Sequence, residues 1–218
     1  MEKILIYIGL NNGKGFEEVL SEENFDRSFG FEPLPELYEL VKKKYEHRDD
    51  VEIINAAVVE KEGDYTFYRT QFMGVNQNQD SSSLYEITEE YRNTTGNPIY
   101  TKDKITVKGV NLSKFLSEKM ITHIHQYVSD AEGNDFIILK TIKEYIDNRK
   151  INKIKVESVC DYVNFDIRSG QPSNKESDFI NLLGDNYELY NKQKGQYNPE
   201  LKNYWVNRDL YFRLRDIV

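Results

Sequence analysis

The chain has a single cysteine, Cys160, in 218 residues. That excludes an internal disulfide and any cysteine-built metal cluster, and it suits a reducing, cytoplasmic setting. Basic residues are the minority, 29 Lys and Arg against 37 Asp and Glu, for a net charge of −8. Such a balance argues against a broad phosphate-backbone footprint, so nucleic acid is not an expected partner; a small local basic site stays open. Long apolar runs are missing as well, and nothing approaches the length of a membrane span. The first apolar stretch, Ile4 to Ile8, is too short for a signal-peptide core and has no small-residue cleavage site behind it. Only five prolines interrupt the chain, which leaves long segments free to fold continuously.

What is present describes one domain spanning residues 1–218, long enough for a sizeable core, with no linker composition to divide it. Sixteen tyrosines stand out. They suit strands, and they also suit a carbohydrate or aromatic ligand site, although tyrosine packs into most cores.

The stretch from Ile4 to Gly15 organises the rest. Its apolar run stops at Gly9, and Gly13 and Gly15 follow before a helical Phe16 to Leu20. Strand, glycine turn and helix form the first unit of a nucleotide-binding α/β sheet. Glycine lets backbone approach a ligand closely, and the helix start offers unpaired N–H groups. The spacing, Gly-x-x-x-Gly-x-Gly, differs from the dinucleotide pattern, and a plain structural turn explains it equally well.

A short strand, Arg27 to Phe31, ends in Glu32 and Pro33. A carboxylate there, about twenty residues past the glycine turn, is placed to accept from both hydroxyls of a ribose. Pro33 and Pro35 favour a turn and a helix start, and Leu37, Leu40, Val41 and Tyr45 follow at helical spacing. Lys42, Lys43 and Lys44 read as a solvated helix end. Val51 to Val59 reads as a central parallel strand, apolar almost throughout. Asn55, Ala56 and Ala57 near its end leave room for a flat base, or simply pack. Tyr65 to Arg69 alternates like a strand. Residues 71–104 are then polar, with anchors at Phe72, Leu84, Tyr85, Ile87 and Tyr91, as expected of a lid or substrate-binding insertion. A short helix is expected within it, between Ser83 and Arg92.

Ile105 to Val110 reads as a strand and Leu112 to Leu116 as a helical turn or two. Ile121 to Val128 reads as a further central strand, with His123 and His125 on one face. A third metal ligand at a recognisable spacing is missing, so satisfied interior histidines are the simpler reading. Asp130, Glu132 and Asp135 cluster past that strand, either as caps and turn formers or with Asp130 and Glu132 in an active cleft. Asp135 is placed to cap a helix whose apolar face is Phe136, Leu139, Ile142 and Ile146. Ile151 to Val159 is another strand, with Glu157 near its end. Asp178 to Leu183 reads as a helix stopped by Gly184. Tyr187 to Tyr190 and Asn203 to Val206 read as an edge hairpin joined through Gln193 to Glu200.

Taken in order, four blocks resemble the FkbM-type S-adenosylmethionine-dependent methyltransferases. They are Ile8-Gly-Leu-Asn-Asn-Gly13; Phe31-Glu-Pro33 with Pro35-Glu36; Glu52-Ile-Ile-Asn-Ala-Ala-Val58; and Asp130-Ala-Glu-Gly-Asn-Asp135 with Ile137-Ile-Leu-Lys140. The resemblance runs from about Ile4 to Trp205. It implies an α/β, Rossmann-like class I methyltransferase fold: a mostly parallel seven-stranded sheet, an antiparallel edge pair and helices on both faces. It implies S-adenosyl-L-methionine as cofactor and methyl transfer to a small-molecule or glycan acceptor, often at a hydroxyl. By the same resemblance Gly9, Asn11 and Gly13 line the methionine part of the cofactor, and Glu32 with Pro33 holds the ribose. Asn55, Ala56 and Ala57 border the adenine. Asp130 borders the cofactor and faces the reaction centre, where it is our candidate for the general base, with Glu132 or a histidine next. One position departs: Tyr7 stands where relatives usually carry an acid. Two rival readings are a nicotinamide-dependent oxidoreductase, which the glycine spacing and the Asp130 block oppose, and a cofactor-less binding module, which Tyr7 favours.

Overall fold

The computed structural model describes residues 1–73, 81–194 and 207–216. Strand β1 (Ile4–Ile8) runs into α1 (Lys14–Glu22), β2 (Arg27–Phe31), α2 (Pro35–Tyr45) and β3 (Val51–Ile54). Then come β4 (Ala57–Val59), β5 (Gly63–Phe72), α3 (Glu89–Thr95), β6 (Ile99–Asn111) and α4 (Leu112–Glu118). The chain continues through β7 (Ile124–Ser129), α5 (Asp135–Thr141), α6 (Lys143–Asp147), β8 (Ile151–Val159), α7 (Glu176–Leu183), β9 (Tyr187–Lys194) and β10 (Asn207–Leu214).

Seven strands form one sheet in the order β3-β2-β1-β7-β8-β10-β9, parallel except that β10 runs antiparallel to both of its neighbours. This is the expected Rossmann-like architecture, edge pair included. The unbroken apolar character of β1 follows from its place in the middle. Ile4, Ile6 and Ile8 pack into one core with Phe31, Tyr127, Ile138 and Phe179. Leu5 and Tyr7 pack on the other face with Leu10, Phe16, Val41 and Tyr45. A strand covered by helices on both faces has no position to spare for polar residues. The crossovers from β1 go to β2 on one side, and the return to β7 lies on the other. The strand order therefore switches between β1 and β7, which opens a crevice beyond their carboxyl ends.

Several boundaries differ from expectation for local reasons. Val51 to Val59 is two strands, not one central strand. β3 is an edge strand of the main sheet, whereas β4 joins β5 and β6 in a separate three-stranded sheet. The chain breaks at Asn55, whose Nδ2 donates to the carbonyls of Glu32 (2.9 Å) and Pro33 (3.1 Å). Beyond the exposed Asn55, Ala57 and Val59 are buried in a third cluster with Leu34, Phe67 and Val107, and the apolar sequence runs on, so hydrophobicity alone does not reveal the break. The polar stretch after Gln71 is shorter than expected, since β5 and β6 pair as far as Phe72 and Ile99. Its helix sits later, at α3, because the Thr88 side chain caps it by accepting from Tyr91 N and Gly96 ends it at φ +68°.

β7 starts at Ile124 rather than Ile121, whose N–H still closes the turn after α4 on Leu116 O. The helix after Asp135 divides at Ile142. In the edge hairpin β9 extends through Gln193 to Lys194, and its partner is β10. The expected Asn203 to Val206 strand lies outside the described residues. Among the described residues no helix is long and apolar enough to cross a membrane.

Candidate active site

The crevice at the switch point is a cleft of about 640 Å³, its open mouth included. Its walls come from the ends of β1 and β2 (Ile8, Gly9, Asn11, Glu32), from the β3–β4 turn and β4 (Ala56, Ala57, Val58), and from the loop after β7 (Asp130, Ala131, Glu132, Asn134). Ser82 and Leu84, in the insertion between β5 and β6, also line it.

Gly9 is where backbone comes closest to backbone. It sits at φ +82°, and a Cβ there would lie 1.9 Å from the carbonyl oxygen of Asp130. Its N–H bonds Phe31 O at 3.0 Å, and Asp130 N bonds Ile8 O at 3.0 Å. One glycine thus lets the loops after β1, β2 and β7 converge. Gly13 belongs to a different contact. It starts α1 at φ +80° and faces Val41 of α2, outside the cleft lining.

Glu32 is 4% exposed. Its Oε2 accepts from Asn11 N at 2.7 Å and its Oε1 from Leu34 N at 2.9 Å. Burial pushes its pKa up to about 7, against the pull of those two N–H groups. Each oxygen keeps a second lone-pair direction for a further donor. Asn55 holds the carbonyls beside this carboxylate but does not line the cleft, whereas Ala56 and Ala57 do.

Tyr7 does not obstruct the cleft. It is buried on the helical face, edge-on to Phe16 at 5.5 Å. A Cβ on Gly15 would meet its hydroxyl at 2.4 Å, so that glycine makes room for the ring. The same burial raises the Tyr7 pKa to about 12.

The loop after β7 makes part of the cleft wall acidic. Asp130, Glu132 and Glu157 each offer a carboxylate oxygen within 4.8 Å of the others, an oxygen-donor set able to hold a cation or to share protons. Asp130 reaches solvent through the mouth, yet protein surrounds it elsewhere. Desolvation first, then Glu132, Asp135 and Asp209, hold its pKa well above the usual carboxylate range, with Lys155 opposing. Glu157 is raised for the same reasons, desolvation ahead of Glu132, Asp130 and Asp135, with its bond from Asn207 opposing. Glu157 comes from β8 and meets the others only through the sheet, so spacing along the chain gives no sign of it.

Asp135 is fully buried and does a different task from the expected cap. Its Oδ1 accepts from Ser129 Oγ (2.5 Å) and Ala131 N (2.8 Å), and its Oδ2 from Gly133 N (3.3 Å). It therefore braces the Asp130–Gly133 loop, while Asn174 Oδ1 takes the helix N–H of Phe136 at 2.8 Å. Inside that loop Glu132 adopts φ +52° and Gly133 φ +103°. Asn134 joins the insertion to the loop: it accepts from the Tyr85 hydroxyl and donates to Val58 O, each at 2.9 Å. Arg168, buried, donates to Glu132 at 2.5 Å. His123, just before β7, and His125, near its start, lie at the end of the strand away from the cleft, the first beside Asn152 and the second between Asn152 and Glu23.

Comparison with known proteins agrees with this geometry. The crystal structure of the methyltransferase FkbM from Methylobacillus flagellatus KT is similar over 97% of the chain, with a TM-score of 0.55 at 12% identity. The chain spans 43% of that protein's length. The N-methyltransferase NodS from Bradyrhizobium japonicum WM9 is similar over 99% of the chain and 87% of its own, at 9% identity and a TM-score of 0.46. No curated protein matches in sequence. The Methyltransferase FkbM domain family matches residues 8–167. With most of its length inside that match, the chain belongs to the FkbM methyltransferase family.

Proposed function

We propose that this protein methylates a hydroxyl of a sugar, glycan or related small metabolite, with S-adenosyl-L-methionine as donor. One observation carries the reading: two carboxylates, Glu32 and Asp130, line a single cleft, and the first is read as the ribose acceptor and the second as the proton acceptor. Glu32 receives the ribose hydroxyls. Ala56 and Ala57 flank the base, and Gly9 and Asn11 present backbone to the amino-acid part. The cofactor supplies an already activated sulfonium methyl. What the chain must add is alignment of the acceptor oxygen, an effect worth roughly 7–11 kcal/mol when complete, and removal of its proton. Asp130 is the base in this scheme, and burial beside other carboxylates raises its proton affinity, the direction a proton acceptor needs. The 71–104 insertion acts as a lid or substrate wall through Ser82 and Leu84.

Calorimetric titration with S-adenosylhomocysteine, followed by transfer of labelled methyl onto a panel of hydroxylated sugars, tests the proposal. Micromolar binding and label in an ether linkage are expected. A chain that binds no S-adenosyl ligand is a cofactor-less module instead, and label found only on amines moves the acceptor class.

A further inference from the structure

Arg168 stands one residue beyond the matched family region and is 4% exposed. Its guanidinium reaches two separate segments. Nη2 donates to Glu132 Oε2 at 2.5 Å and Nη1 to the carbonyl of Ser81 at 3.1 Å. The same two segments meet again where Ser83 Oγ donates to Glu132 O at 2.8 Å. Glu132, Ser82 and Leu84 all line the cleft. The backbone around Arg168 is itself tied to the insertion: Ser169 N donates to Glu86 O at 2.8 Å, and Thr88 N to Ile167 O at 3.1 Å.

Two physical facts give this side chain its leverage. Glu132 is held in the left-handed region, which persists only where surroundings over-determine it. Its carboxylate also crowds those of Asp130 and Glu157, so a cation on the outer side offsets repulsion that otherwise pushes the loop apart. A planar fork serves two acceptors in different directions at once, which an ammonium on a flexible stem does less well.

We propose that Arg168 is a positioning residue for the cofactor cleft, acting through Glu132 to hold the Asp130–Gly133 loop and the Ser81–Leu84 segment as one wall. The proposal rests on the S-adenosyl reading of the cleft. Its test is the affinity of S-adenosylhomocysteine, by calorimetry, for the wild-type chain and for Arg168→Met, Arg168→Lys, Glu132→Gln and both Arg168 changes combined with Glu132→Gln. Arg168→Met is expected to weaken binding at least tenfold and Arg168→Lys to recover part of that loss. Each double variant is expected to bind at least as well as its Arg168 parent, since Glu132→Gln removes the charge that Arg168 compensates. If Arg168→Met does not fold, Arg168→Lys and its double carry the comparison. Affinities within twofold of wild type, or losses that add in the doubles, overturn the proposal and leave Arg168 a stability residue. A wild-type chain that binds no S-adenosylhomocysteine overturns the cofactor reading and this proposal with it.

Discussion

Glu32 makes a pH prediction whose sign follows from burial. Its pKa rises from 4.5 in the exposed state to about 7 when folded, so between those values the folded chain holds a proton the unfolded chain has lost. Stability of the free protein therefore falls as pH climbs through that window, by about 3 kcal/mol in all. Ribose hydroxyls donate to the ionised form, so ligand affinity moves the other way and rises with pH through about 7. Titrating S-adenosylhomocysteine from acidic to alkaline pH is expected to show that rise, and Glu32→Gln to flatten it while weakening binding about tenfold, as loss of a charge-assisted hydrogen bond does. A level wild-type profile removes Glu32 as the hydroxyl acceptor. Asp130 separates binding from chemistry. Asp130→Asn is expected to keep S-adenosylhomocysteine affinity within a few-fold and to slow transfer to whichever sugar accepts methyl by about 10²–10⁴-fold, the usual contribution of a general base. Unchanged turnover in that variant passes the role to Glu132 or Glu157.

Among elements, the ones legible in the sequence are those whose environment leaves a one-dimensional trace. β1 reads clearly because both of its faces are buried, and the Gly9 turn reads clearly because only glycine tolerates its approach to Asp130. The loop from Asp130 to Asp135 reads as clearly, and so does the presence of an antiparallel edge pair, although its second strand, β10, lies beyond the expected 203–206. What the residues do not announce is where a run changes partner. Apolar character continues from Ile53 to Val59 while the chain passes from one sheet to another, and the mark of the passage is the side chain of Asn55. Arg168 and Glu157 reach Glu132 from elements distant in sequence, so no local pattern connects them to it. The Asn55 hinge is testable. Asn55→Ala removes donors from two carbonyls and is expected to cost about 1–2 kcal/mol. For a chain of this length that lowers the melting midpoint by roughly 2–8 °C. Calorimetric unfolding measures it, and a midpoint unchanged within a degree shows the β3–β4 break is held by packing alone.

For the molecule as a whole, charge distribution bears on the acceptor more than on the fold. The net charge is −8, and cations beside the main sheet are already engaged: Lys44 with Glu17 and Lys119 with Glu52 at 2.6 Å, Lys153 with Glu23 and Lys155 with Asp209 at 2.8 Å. On the proposed acceptor side Asp130 and Glu132 meet Glu157, and the buried cation beside them, Arg168, is committed to Glu132. A polyanion approaching that side meets carboxylates instead of the clustered Lys and Arg that release counterions from a phosphate backbone. A neutral polyol meets hydrogen-bond acceptors, which suit its hydroxyls. Transfer RNA is therefore expected to show no mobility shift with this protein even at low salt, about 50 mM, where backbone contacts are strongest. Methyl transfer to sugars is expected to vary little with ionic strength. A salt-sensitive RNA complex at micromolar protein would reverse that assignment and place the acceptor among nucleic acids, because no other source of affinity falls so steeply with added salt.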